Sequence, residues 1–327
     1  MLDEQQTVGK QLSNPFSTGG GGPRFENQVQ TLFVVLMLTG GVVPCLPPLP
    51  IKKIKLQGHY DGYSTDDFIA FVEEQSGEQK AKLLAQIKHS VSITENDSVF
   101  ADVIKAAWSD FNDADLFDSS SDVFALITGP LSATDGEARV ILEWARTSET
   151  AEEFLKKVNL GKFSSVTKQN KLAAFRAQLK KATGGVDVGD EKLWQFLKSF
   201  HLLPCDLDIG SGFVFSFVTS SIAQFTNTEA SGVFDVVARE VASFNQNAGT
   251  LTRDTVSQEI RRIFSRRVPQ IPAEYAPAAD IQSHPTASDY SRSPHADALT
   301  FASLLGGWNE KVEGDREAIR KLIEGDD

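Results

Sequence analysis

Four residues combine types and spacing that suit phosphodiester chemistry. Gln86 and Lys88 stand two apart at the end of an apolar run, so on a strand both side chains project from one face. Asp67 directly precedes a second apolar run, and Glu26 lies beside the apolar positions of a helical pattern. Carboxylate and amide oxygens are ligands for Mg²⁺, and an ammonium offsets the charge that develops on phosphorus.

Each of these residues has an expected role in such a site. We expect Asp67 and Gln86 to bind the metal, and Glu26 to bind it as well or to hold one of its waters. Lys88 would orient the attacking water or stabilise the charge of the transition state. Asp66 is an alternative to Asp67, which we favour because it comes directly before the apolar run. His89 is a possible base or substrate contact.

The elements that would position these side chains follow from hydrophobic periodicity. Phe25, Val29 and Phe33 recur at helical spacing and predict a helix over 24–38 that Gly40 and Gly41 end. Apolar runs predict strands at 51–57, 67–73, 82–89 and 123–128, with helices at 98–111 and 135–147. From 150 to 266 the pattern is helical, with an interruption at 213–217. The fold class is therefore α/β, a mixed sheet flanked by helices and followed by a mainly α-helical region.

Composition divides the chain into four segments. Residues 1–22 read as a flexible N-terminal lead that ends in four glycines. Residues 23–150 would form the α/β domain and 151–268 a helical domain. Five prolines over 269–294 are typical of a linker, so 269–327 would be a Pro-rich linker and the start of a following domain that is absent here.

Charge and cysteine content restrict the function classes. A net charge of −12 excludes a protein that coats nucleic acid non-specifically. Two cysteines far apart in sequence suggest no disulfide framework, so we expect a reducing cytoplasm. The longest apolar stretch is too short to span a bilayer, so no membrane partner is expected. One basic run has no acidic member and predicts a DNA contact through Lys156, Lys157, Lys162, Lys168, Lys171 and Arg176.

The order of the candidate residues resembles a known nuclease family. Glu26 on a helix, Asp66-Asp67 entering a strand and Gln86-Ile87-Lys88 ending the next are similar to the PD-(D/E)xK superfamily, in its branch with Gln before x-Lys. The resemblance covers about residues 15–150 and is nearest to the Cap-type double-stranded DNA endonuclease domains, which stand at the N-terminus of bacterial antiviral STAND NTPases (Avs).

The resemblance implies a restriction-endonuclease-like sheet and an Mg²⁺-dependent endodeoxyribonuclease, with Mn²⁺ as a substitute. The partner would be double-stranded DNA. Activity would require a homo-oligomer, assembled by a missing C-terminal NTPase or sensor region as part of antiphage defence. The low affinity for DNA that an acidic chain implies agrees with activation by clustering.

Two other functions stay open at this stage. The first is a non-enzymatic interaction module, in which the helices of 151–268 bind a partner. The second is a nuclease for RNA or single strands, because a site of this kind acts on phosphate and does not read the sugar or the bases.

Overall fold

The computed structural model describes residues 21–265, which form nine helices and six strands. The helices are α1 (Gly21–Thr39), α2 (Ser98–Phe111), α3 (Ala133–Thr147), α4 (Ala151–Asn159), α5 (Val166–Ala182), α6 (Asp190–Ser199), α7 (Phe213–Ala223), α8 (Ala230–Gln246) and α9 (Gln258–Ile263). The strands are β1 (Ile51–Leu56), β2 (Phe68–Glu73), β3 (Lys80–Lys88), β4 (Val123–Thr128), β5 (Phe200–Pro204) and β6 (Thr250–Leu251). A 3₁₀ turn over Gly58–Asp61 joins β1 to the segment before β2.

All six strands belong to one mixed sheet with the order β5-β4-β3-β2-β1-β6. Pairing is antiparallel between β2 and each of its neighbours, and between β1 and β6. Pairing is parallel from β3 to β4 and from β4 to β5. The predicted fold class, a mixed sheet flanked by helices with a mainly helical region after it, is confirmed.

Helix ends follow local chemistry. Helix α1 ends at Thr39, and Gly40 follows with a φ of +80°, a conformation that costs glycine little. Asp97 caps α2 by accepting a hydrogen bond from the backbone N–H of Phe100, and Ser132 caps α3 through Asp135 N–H. The boundaries predicted for these three helices agree with the structure to within three residues.

Side chains that alternate along the strands divide the core into two layers. On β2, Phe68 and Ala70 pack with α1, α7, α8 and α9, whereas Ile69 packs on the opposite face with α2 to α6. Both faces of the central strands are covered, which explains why the strands read as nearly continuous apolar runs. The candidate site lies where β2 begins and β3 ends.

Two strands of the sheet come from the stretch that was expected to be a helical domain. The strand β5 (Phe200–Pro204) pairs with β4, and β6 (Thr250–Leu251) pairs with β1. The predicted boundary at residue 150 therefore cuts through one sheet. The interruption predicted at 213–217 is wrong, because Phe213–Ala223 is helical and the break in the helical pattern occurs at β5 instead.

The predicted lead over 1–22, apart from Gly21 and Gly22, and the predicted linker over 269–327 lie outside the described residues. Within 21–265, no helix combines the length and the apolar character needed to cross a membrane.

Candidate functional site

Strand pairing brings Asp67 and Lys88 together. Antiparallel pairing aligns Phe68 with Ala85, so the residues just outside this pair, Asp67 and Gln86, are also opposite one another. Asp67 Oδ2 accepts a short hydrogen bond from the backbone N–H of Ile87 and lies 3.4 Å from Lys88 Nζ. The expected carboxylate and ammonium therefore form an ion pair at the end of β3.

Glu26 joins this pair from helix α1. Gln30, one turn further along α1, donates from Nε2 to Glu26 Oε1 at 3.0 Å and to the backbone oxygen of Asp67 at 3.1 Å. This one amide thus fastens the helix to the start of β2. The structure therefore brings Glu26, Asp67 and Lys88 together, and the roles predicted for them stay predictions.

Asn245 completes the surroundings of Glu26 and was not predicted from the sequence. Its Nδ2 donates to Glu26 Oε1 at 3.2 Å from the end of α8, and its backbone oxygen accepts from Gln57 Nε2 at 2.6 Å. Gln30 could have been found, because it lies four residues after Glu26 on the same helix face. Asn245 has no local signal, since 219 residues separate it from Glu26.

Burial sets the electrostatics of the two carboxylates. Burial raises the pKa of Glu26 above its ordinary value, and the nearby charge of Asp67 raises it further, while Asn245 and Lys88 act in the opposite direction. Burial likewise raises the pKa of Asp67, and Lys88 and the Ile87 N–H only partly offset it. Two carboxylates therefore share one ammonium, which leaves excess negative charge that a cation would neutralise.

Two amide oxygens near the carboxylates are buried without a hydrogen-bond partner among the described residues. Gln30 Oε1 and Asn245 Oδ1 are buried and accept no hydrogen bond within residues 21–265, because both amides turn their nitrogen toward Glu26. The described part of the chain contains no group of three or more His, Cys, Asp or Glu side chains that could hold a metal. A cation here would rely on the two carboxylates and on water, a set that suits Mg²⁺.

Gln86 differs from its expected role. Its Nε2 donates to Asp66 Oδ1 at 3.3 Å, and Asp66 Oδ2 lies 3.7 Å from His59 Nδ1. Gln86 and Lys88 thus contact two different carboxylates, although both had been expected to converge on one spot. Asp67, and not Asp66, is the carboxylate next to Lys88.

His89 holds the end of β3 in place. Its Nε2 lies 2.9 Å from Asp208 Oδ2, its Nδ1 lies 3.0 Å from Ser90 Oγ, and its ring meets Phe25 edge-on at 5.0 Å. These contacts tie β3 to the segment that follows β5 and to α1. The predicted role of His89 as a base or substrate contact stays a prediction.

Most of the predicted DNA contacts already pair with acidic side chains. Lys171 is buried, and its Nζ lies 2.7 Å from Asp135 Oδ1, so this residue cannot reach DNA and its predicted role is wrong. Lys156 and Lys162 are exposed, and their predicted role stays a prediction. The other pairs are Lys157–Glu153 at 2.7 Å, Lys168–Glu137 at 2.7 Å and Arg176–Asp190 at 2.5 Å.

Comparison with known proteins gives a distant structural likeness. No protein-family model and no curated protein matches the chain. A solved structure of the Acinetobacter baumannii Cap4 SAVED/CARF-domain containing receptor with the cyclic trinucleotide 3′3′3′-cAAA matches with 12% identity and a TM-score of 0.41, over 72% of this chain and 45% of that one. The same receptor with 2′3′3′-cAAA matches with 11% identity and a TM-score of 0.43, over 76% and 44%. The chain thus spans less than half the length of these receptors.

These comparisons contradict the nuclease identification. The solved neighbours are described as SAVED/CARF-domain containing receptors and not as PD-(D/E)xK nuclease domains. The predicted membership of the PD-(D/E)xK superfamily is therefore wrong, and so is the predicted role as an effector that cleaves double-stranded DNA. A setting in antiphage defence stays a prediction. Likenesses with TM-scores below 0.5 do not indicate a function for this chain.

Proposed function

We propose that the site around Asp67 binds a divalent cation and, together with Lys88, the phosphate of a nucleotide-type ligand. The observation that carries this proposal is the meeting of Glu26, Asp67 and Lys88, with Gln30 and Asn245 both donating hydrogen bonds to Glu26. Three separate parts of the chain, α1, the β2–β3 pair and α8, supply these groups.

The charge of the site and the oxygen atoms of its side chains favour a bound cation. When both are ionised, Glu26 and Asp67 place two negative charges against the single positive charge of Lys88. Burial raises the pKa of both carboxyls, so the ionised pair would be stabilised by a bound cation. Mg²⁺ needs only one or two protein carboxylates, because it keeps several waters and takes further oxygens from phosphate. Glu26 and Asp67 would hold the cation, while Gln30 and Asn245 fix the orientation of Glu26.

Lys88 is the reason for including a phosphate in the proposed ligand. Its side chain is 32% exposed, so the ammonium is accessible from solvent while it pairs with Asp67 at 3.4 Å. An ammonium has three N–H donors, and Asp67 accepts from one of them. The other donors can bind a phosphate oxygen next to the cation, as lysines do in phosphate sites.

Calorimetry and thermal unfolding with Mn²⁺ or Mg²⁺ test the proposal. A cation present at 100 times its Kd stabilises the folded chain by about 2.7 kcal/mol, which raises Tm by about 5–11 °C for a unit of this size. We expect Glu26→Gln and Asp67→Asn to abolish this shift. The matched control is Glu78→Gln, which neutralises an exposed carboxylate on the loop between β2 and β3 and should keep the whole shift.

A second titration tests the phosphate. Cyclic and linear trinucleotides serve as probes, because both carry phosphodiesters and a cyclic trinucleotide is the ligand named for two of the solved neighbours. Lys88→Met should keep the cation response and lose the trinucleotide. An absent cation response in the wild type, or an equal response in Asp67→Asn, would refute the proposal.

Several expectations stay predictions. Enzymatic activity, the Mg²⁺-dependent hydrolysis of phosphodiester bonds, is tested by separating the products of the same trinucleotide samples after incubation. Assembly into a homo-oligomer is tested by light scattering of the full chain. A cytoplasmic location agrees with the free thiols of Cys45 and Cys205.

A further inference from the structure

The 3₁₀ turn before β2 presents two aromatic rings next to the candidate site. The rings of His59 and Tyr60 lie with their centroids 4.0 Å apart and their planes inclined by 38°. Tyr60 is 67% exposed, which leaves much of its ring open to solvent. We refer to His59 and Tyr60 together as the aromatic pair.

One backbone hydrogen bond and one ion-pair distance link the turn of the aromatic pair to Asp66, just before β2. The backbone N–H of Gly58 donates to the oxygen of Asp66 at 2.8 Å, and His59 Nδ1 lies 3.7 Å from Asp66 Oδ2. On the other side of the turn, Asp61 Oδ1 lies 3.2 Å from Lys55 Nζ. The turn thus has a contact at each end, and His59 lies against Asp66, the neighbour of Asp67 in the chain.

We propose that the aromatic pair stacks a nucleobase of the ligand whose phosphate binds at Asp67 and Lys88. This inference rests on the proposed function and adds the part of the ligand that the acidic site cannot recognise. Every base has a π-face, so an open tyrosine ring binds bases with little regard to sequence. His59 supports the Tyr60 ring from one side, and the contact with Asp66 positions His59 in turn.

The arrangement also accounts for the exposure of Tyr60. A large aromatic side chain buries much apolar surface when it packs, and an exposed one forgoes that gain. Here the turn is fixed by its contacts and keeps the Tyr60 ring exposed to solvent, beside a site that suits phosphate. A base that stacks on Tyr60 would cover this ring while its phosphate reaches Lys88.

Three substitutions at Tyr60 test the inference by calorimetry with a trinucleotide in the presence of Mn²⁺. Tyr60→Ala should weaken trinucleotide binding about 5- to 140-fold, the range that corresponds to the loss of one stacked base. Tyr60→Phe keeps the ring and should bind as the wild type does. Tyr60→Trp should bind as well and report stacking by quenching of its fluorescence. The matched control is Phe213→Ala, which removes another exposed ring, 71% exposed on α7, and should change nothing.

Binding of Mn²⁺ and of inorganic phosphate, which has no base, separates the two proposals. Both should be unchanged in Tyr60→Ala if the aromatic pair acts on the base alone. If the wild type binds Mn²⁺ and trinucleotide and Tyr60→Ala binds both equally well, the stacking inference is overturned and the acidic site stands. If the wild type binds neither, the proposed function fails and the stacking inference fails with it.

Discussion

Replacing Lys171 by methionine should destabilise the fold severely, because this lysine belongs to a buried ion pair. Lys171 Nζ donates to Asp135 Oδ1 at 2.7 Å and to the backbone oxygen of Ile93 at 3.0 Å. The two charged side chains are only 8% and 10% exposed. Methionine keeps most of the apolar stem and removes the ammonium, so the substitution isolates the charge from the packing.

The expected cost follows from the carboxylate that remains. Removing one partner of a buried pair costs about 3–5 kcal/mol, because the other charge stays buried without compensation. Asp135 would keep only the Ile93 N–H at 2.9 Å and the Ser132 hydroxyl at 2.6 Å. For a unit of this size we expect Tm to fall by about 6–20 °C.

The pH dependence of this loss has a definite sign. Burial by itself raises the pKa of Asp135, but the hydrogen bonds from Lys171, Ser132 and Ile93 outweigh burial and hold the pKa below its ordinary value. A lowered folded-state pKa contributes stability above the unfolded value of 3.8, and that stability is lost as pH falls through the folded value. Without Lys171 the pKa of Asp135 should rise, so the cost of Lys171→Met should be largest at neutral pH and should shrink toward pH 4.

Urea unfolding of Lys171→Met beside a matched variant measures the effect. Lys180→Met is the control, because Lys180 lies on the same helix and pairs with Asp187 at 3.1 Å, but with side chains 50% and 80% exposed. Exposed pairs contribute about 0–1 kcal/mol. If both variants lose the same free energy of unfolding within about 1 kcal/mol, burial of the Lys171 pair adds no stability to the fold.

Two further predictions concern buried groups near the sheet. Burial, assisted by the charge of Arg146, lowers the pKa of His201 from 6.5 to about 3. Between pH 7.5 and pH 5 the unfolded chain therefore takes up a proton at His201 that the folded chain does not. This difference should lower the free energy of unfolding by about 2 kcal/mol over that range. Urea titrations at both pH values should show this loss in the wild type and not in His201→Gln; equal slopes would contradict it. Asp110 accepts from the backbone N–H groups of Ser64 and Thr65, each at 2.7 Å, in the loop that leads to the candidate site. Asp110→Ala should lower the free energy of unfolding in urea by about 2–5 kcal/mol and weaken Mn²⁺ binding. Asp110→Asn should have effects between those of the wild type and Asp110→Ala. Unchanged Mn²⁺ affinity would show that this loop does not position the site.

The sequence by itself determined several of the elements, with bounds close to the observed ones. Apolar runs and helical spacing placed β2, β3, β4 and the helices α1 to α3 close to their observed bounds, because alternation and the 3.6-residue period are local properties. Asp67 and Lys88 could be selected for the same reason, since each stands at the end of an apolar run.

Only the tertiary structure decided which side chains meet. Asn245 reaches Glu26 from 219 residues away, and β5 enters the sheet from a stretch with a helical pattern. Lys171 looked like one more exposed cation in a basic run, yet its helix turns it toward Asp135. Composition could not show that Lys171 is buried and Lys180 exposed, because burial depends on which element packs over a residue. Strand pairing and side-chain burial depend on contacts between segments that are distant in sequence, and such contacts produce no periodic pattern in the sequence.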